Sequence, residues 1–190
     1  MIFTDKIRVF LIHGWGGSPD RDWMPCAKAE LERKGYEVIA PAMPDTEHPV
    51  IDAWVQHLTS VVGTPEQTDI FIGHSIGCQT ILRYLEDLEG KVGKVILVAP
   101  WFTLSNLDNV EMWTVADPWL KTPIDFGKIK SKYQSMTTIF SDNDPWVPYQ
   151  VNVDLFRAKF NPEIITLHNK GHITEDEGST QLPELLPLFE

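Results

Sequence analysis

Asp69-Ile70-Phe71-Ile72-Gly73-His74-Ser75-Ile76-Gly77-Cys78 reads as a buried strand turning abruptly into a helix, with a serine at the turn. Cys78, Ile81, Leu82, Leu85 and Leu88 then recur at helical spacing, and Gly90 offers a C-terminal stop. Gly73 and Gly77 stand two residues either side of Ser75. A strand-to-helix turn sharp enough to lift a serine hydroxyl out of a sheet needs neighbours without side chains, so the G-x-S-x-G spacing of a nucleophile elbow has a steric reason. The same serine also fits an ordinary glycine-flanked turn. Partners elsewhere in the chain distinguish the two.

Upstream, residues 6–12 predict a strand, with Val9, Phe10, Leu11 and Ile12 as the continuous apolar run of a strand covered on both faces. The glycine-rich loop His13-Gly14-Trp15-Gly16-Gly17 follows, and Asp22 is placed as N-cap of a helix bearing Trp23, Cys26, Ala27 and Leu31. A strand over 36–40 leads to a helix opened near Pro49, with Ile51, Trp54, Val55, Leu58, Val61 and Val62 on one face. Downstream come strands over 94–99, 136–140 and 163–167. Between the last two, Pro148 opens a helix with Val151, Leu155 and Phe156 expected inward, and Pro187 keeps a final helix over 182–189 short. Residues 101–130 have no clean period and read as an irregular excursion with short helices. Alternating strands and helices predict an α/β protein with a mostly parallel sheet, right-handed crossovers and helices on both faces. The ligand site of such a sheet lies outside the carboxyl ends of its strands, where the loops after strands one, three, five and six stand.

At 190 residues the chain is expected to form one domain over 1–190. Its 16 basic and 27 acidic residues leave a formal charge of −11, and the short basic stretch from Lys128 to Lys132 is the sole such cluster, so no nucleic-acid or anionic-membrane partner is expected. Met1-Ile2-Phe3-Thr4-Asp5-Lys6 lacks the layout of a signal peptide, and no apolar run approaches the ~20 residues of a membrane span. A cytoplasmic location is the default expectation. Cys26 and Cys78 read as small core residues rather than a disulfide framework.

A serine hydroxyl becomes a useful nucleophile when a histidine takes its proton and an acid holds that histidine in one tautomer. Asp144 stands past strand five and His172 past strand six, giving the chain order Ser75, Asp144, His172. Asp142 rivals Asp144, but Pro145 and Pro148 place Asp144 deeper in its loop. His168 rivals His172, but it ends a strand, whereas Gly171 frees the backbone beside His172. The developing oxyanion needs two donors: the N–H of Ile76, after the nucleophile, and that of Trp15, in the first loop. His13 reads as a residue that hydrogen-bonds its own loop, and His74 as a packed elbow residue bordering the substrate.

Gly73-His74-Ser75-Ile76-Gly77, Asp144 and Gly171-His172 resemble the α/β-hydrolase superfamily across essentially the whole chain. Within it, His13-Gly14-Trp15-Gly16-Gly17-Ser18-Pro19 followed by Asp22-Trp23 is similar to the small serine hydrolases related to retinoblastoma-binding protein nine. The resemblance implies a compact three-layer α/β/α sandwich with a six-stranded parallel sheet of order 2-1-3-4-5-6. It also implies esterase-like activity on small acyl substrates and no cofactor. Residues 101–130 stand where such hydrolases insert a cap, and are too few for a large one. Trp15, Trp101, Trp113, Trp119 and Trp146 are either aromatic walls of the substrate site or core. A protein-binding module with an idle triad is the alternative function, and it leaves room for a protein partner. His168 and His172 lack the further ligands of a zinc site, and Gly14-Trp15-Gly16-Gly17 lacks both nucleotide-loop patterns, so no metal is expected.

Overall fold

The computed structural model describes residues 6–190. Met1 to Asp5 lie outside the described residues, and with them the reading of the N-terminal layout. Six strands form one sheet: β1 (Arg8–Ile12), β2 (Glu37–Ile39), β3 (Ile70–His74), β4 (Val92–Val98), β5 (Tyr133–Ser141) and β6 (Glu163–Leu167). Their order is β2-β1-β3-β4-β5-β6 and every pair is parallel, as the resemblance implied. Parallel neighbours need crossovers, supplied by α1 (Met24–Arg33), α2 (Ile51–Val62), α3 (Ile76–Asp87), α4 (Val110–Lys121), α5 (Phe126–Ile129) and α6 (Tyr149–Phe160).

Alternation along the strands divides the core in two. Phe10, Ile12, Phe71, Val95, Leu97 and Phe140 join one cluster with Trp54 of α2, Ile81 and Leu85 of α3 and Phe156 of α6. Val9, Leu11, Ile72, Ile96, Val98 and Ile139 join the other with Met24 and Leu31 of α1 and with Leu185 and Phe189 of a C-terminal 3-10 segment, Pro183–Phe189. Burial on both faces is why these strands read as unbroken apolar runs.

The structure changes three local readings. Helix α1 starts at Met24 with Trp23 at its N-cap and no side-chain cap; the Asp22 carboxylate instead accepts the Glu175 N–H at 2.9 Å. In α6, Val151 is 51% exposed and the buried stripe is Asn152, Val153, Phe156 and Phe160. Asn152 sets that rotation, because its Oδ1 accepts the N–H groups of Phe102 and Thr103 while its Nδ2 donates to the carbonyls of Thr103 and Pro148. Within 101–130, α4 is a regular 12-residue helix capped by Asn109, which accepts the Met112 N–H. Met112, Val115, Ala116 and Trp119 form its helical stripe, obscured in the sequence by Val110, Trp113 and Leu120 off that stripe and by Pro118 inside the helix. Buried Arg83 of α3 donates to the carbonyls of Trp119 and Thr122, anchoring the C-terminal end of α4. No described helix is long and apolar enough to cross a membrane.

Candidate active site

Ser75 joins β3 to α3 at φ 52° and ψ −117°, a conformation L-residues rarely adopt. The flanking glycines make the turn feasible. A Cβ on Gly77 would lie 2.5 Å from the Ile12 carbonyl oxygen and 2.7 Å from that of His13. A Cβ on Gly73 would lie 2.8 Å from the Cys78 nitrogen. All three obstacles are backbone atoms, which cannot turn aside.

The Ser75 hydroxyl lies 2.8 Å from His172 Nε2, and His172 Nδ1 lies 2.7 Å from Asp144 Oδ2. A carboxylate only accepts, so Nδ1 carries the ring proton and the Nε2 lone pair faces the Ser75 hydroxyl, which donates. Asp144 Oδ1 in turn accepts the N–H groups of Trp146 and Val147, each at 3.0 Å. The side chains of Asp144 and His172 are 2% and 8% exposed, so this relay is shielded from water. The two rivals pair with each other: Asp142 Oδ2 lies 2.6 Å from His168 Nδ1, with the His168 side chain 78% exposed. Hydrogen bonds from the Asn169 N–H and from His168 hold the Asp142 carboxyl below the usual carboxylate range.

The last residue of β5 and those that follow it set the loop after β6 rung by rung. Ser141 Oγ accepts the Lys170 N–H, Asp142 Oδ1 the Asn169 N–H and Asn143 Oδ1 the Gly171 N–H, at 3.0, 3.0 and 2.8 Å. Asp144 takes His172 in the same series. The Glu177 carboxylate closes the other side by accepting the His172 N–H and the Thr174 hydroxyl. Arg21 pairs with Glu175 at 2.7 Å and Asp22 exchanges hydrogen bonds with that residue, so the first loop is tied to the His172 loop. Asn143 and Glu177 carry no sequence signal of this role, since each is a polar loop residue until its partner is known.

His74 borders the cavity at Ser75 but is 2% exposed, and its Nε2–H donates to the His172 carbonyl at 2.9 Å. It acts as a brace between the turn at Ser75 and the His172 loop. Burial first, then the neighbouring His172, push its pKa down to about 3. The unfolded chain therefore binds a proton on this ring below the ordinary histidine pKa of about 6.5, while the folded chain refuses it until about pH 3, so stability falls with pH across that window. We expect the urea midpoint to drop between pH 6.5 and 4, with a slope approaching about 1.4 kcal/mol per pH unit from this group, and His74→Gln to flatten it. A variant as acid-sensitive as the wild type would exclude His74 as the cause. His13 is also buried and neutral, donating from Nδ1 to the Gly14 carbonyl and accepting the Met43 N–H at Nε2, as its sequence reading anticipated.

Ser75 and His172 open on a cavity of about 670 Å³ that Trp15, Ile76, Trp101 and Trp146 also border. The Gly16 and Gly17 N–H groups are spent on the carbonyls of Thr46 and Gly14, whereas those of Trp15 and Ile76 have no acceptor among the described residues. The Trp15 indole donates to the Glu47 carbonyl, and the Trp146 ring stands edge-on to His172 with centroids 5.1 Å apart. Trp113 and Trp119 do not border the cavity, which corrects their reading as substrate contacts. Trp119 shares the Met112 side of α4 but sits two turns along, over the core, where it is 2% exposed and its indole N–H donates to the Pro49 carbonyl. Trp113 stands about 100° round the helix from Met112. The sequence reading passed over Leu104, Leu107, Met112 and Val115, which supply the apolar lining instead. Among the described residues, no group of three or more His, Cys, Asp or Glu is placed to hold a metal ion, and both cysteines are free.

The serine hydrolase family model matches residues 9–190. YdeN of Bacillus subtilis (strain 168), named as a hydrolase, is 29% identical over 178 residues, covering 93% of this chain and 90% of that protein. The YdeN crystal structure superposes with a TM-score of 0.87 at 27% identity, covering 97% of each chain. Two neighbours share the fold at 14% identity. Est1E from Butyrivibrio proteoclasticus has a TM-score of 0.69 with 97% of this chain and 89% of the other covered. A structure from Nitrososphaera gargenis, described with activity profiles of carboxylesterases, has a TM-score of 0.67 at the same coverages. The matched span takes in the turn at Ser75, the loops of Asp144 and His172 and all of the parallel sheet after Arg8, and the chain belongs to the serine hydrolase family with an α/β-hydrolase fold.

Proposed function

We propose that the protein hydrolyses small carboxylic esters or related acyl compounds through an acyl-enzyme on Ser75. Ser75 Oγ attacks the acyl carbon as its proton passes to His172 Nε2, and Asp144 stabilises the resulting imidazolium. The N–H groups of Ile76 and Trp15 receive the negative charge that develops on the carbonyl oxygen. His172 gives the proton to the leaving oxygen, the ester bond breaks, and the alcohol departs. Water then repeats the sequence: His172 removes its proton, the hydroxide attacks the acyl-enzyme, and Ser75 leaves reprotonated with the acid released.

The unbroken hydrogen-bond relay from Ser75 through His172 to Asp144, opening on a cavity with one largely apolar wall, carries this reading. Intact mass after treatment with a fluorophosphonate tests it. One adduct per chain on the wild type, lost in Ser75→Ala, is expected. A folded wild type that takes up no adduct would sink the proposal and favour a binding module with an idle triad.

A further inference from the structure

Resting on the hydrolase reading above, we propose that the acyl chain of the substrate runs from Ser75 past Val115 into a second cleft between α2 and α4, so that medium-chain fatty acyl esters are preferred over acetates. The cavity at Ser75 has two unlike walls. Arg21, Asp22, Thr174, Asp176 and Glu177 line it from the first loop and the loop after His172. Trp101, Leu104, Leu107, Met112 and Val115 line it from the chain after β4 and from α4, with Asn109 and Glu111 as the polar residues of that side. His172 must pass its proton to the leaving oxygen, which places the alcohol toward the polar wall and leaves the apolar wall to the acyl group.

The apolar wall does not end at the cavity. Val115 and His48 border both it and a cleft of about 480 Å³, formed by Pro49, Val50, Ile51 and Asp52 at the start of α2 and by Thr114, Pro118 and the C-cap Thr122 of α4. Helix geometry makes Val115 the seam: at about 100° per residue it shares one face with Met112 and the adjoining face with Pro118 and Thr122. The cleft is fixed in place, since the buried Trp119 indole donates to the Pro49 carbonyl and Trp119 packs edge-on against Trp54 of α2. Val50, 58% exposed, is an apolar side chain of the cleft left open to water. A hydrocarbon tail suits this path because it starts at the reacting carbonyl and meets mostly apolar carbon, and each methylene that leaves water there should raise kcat/KM about threefold to fourfold.

The test is kcat/KM on p-nitrophenyl acetate, butyrate and octanoate for the wild type, Val115→Trp, which narrows the seam, and Val50→Glu, which adds a second carboxylate to that of Asp52 in the cleft lining. We expect the octanoate-to-acetate ratio to exceed about tenfold in the wild type and to fall at least fivefold in each variant. A wild type that prefers acetate, or variants that leave the ratio as it was, would overturn the cleft while fluorophosphonate labelling at Ser75 still upheld the hydrolase. Absence of both labelling and turnover would overturn both. Because the readout is a ratio and Val50 is exposed, impaired folding of Val115→Trp does not rescue the proposal.

Discussion

Ser75→Ala is expected to lower kcat for ester hydrolysis by about 10⁵- to 10⁶-fold while the protein stays folded. The Ser75 hydroxyl makes its hydrogen bond to His172, and no strand or helix pairing depends on that oxygen. The remaining donors at Trp15 and Ile76 can still polarise a bound carbonyl, so a small rate above water should persist. Ser75→Gly separates the chemical role from the backbone one. It should lose the same activity yet gain about 1 kcal/mol in urea unfolding, because glycine relieves a residue held at φ 52° and ψ −117°. Retention of turnover above a percent of wild type by either variant would remove Ser75 from the mechanism.

The second large effect belongs to Asp144→Asn, for which we expect a loss of about 10⁴-fold in kcat with little change in fold. The amide oxygen can still accept the N–H groups of Trp146 and Val147, so the loop keeps its shape. The amide NH₂ then faces His172 Nδ1, which must become the acceptor and shift the ring proton to Nε2. A ring protonated at Nε2 cannot take the Ser75 proton. Asp142→Asn supplies the contrast, with an expected change within about threefold, because Asp142 serves the exposed His168 and the Asn169 N–H rather than His172. Equal losses in the two variants would mean that loop integrity, not the His172 tautomer, is being measured.

The sequence by itself determined the layer architecture and the elbow, because both rest on short-range rules. Unbroken apolar runs such as Val9 to Ile12 demand cover on both faces, and Gly73 and Gly77 answer backbone atoms that any strand-to-helix turn of this kind brings close. That Ser75, Asp144 and His172 meet was legible for the same reason, since each sits at a strand end whose position the alternation of elements dictates. Tertiary structure alone decided what depends on partners distant in the chain. Asp22 left its helix for Glu175, Asn152 turned α6 to serve Phe102 and Thr103, and Asn143 and Glu177 became the setting of the His172 loop. The tryptophans were sorted the same way, with Trp146 against His172 and Trp119 sealed beneath Pro49. An aromatic ring carries the same hydrophobic preference in a pocket wall as in a core, and only the packing of α4 against α2 and α3 distinguishes the two.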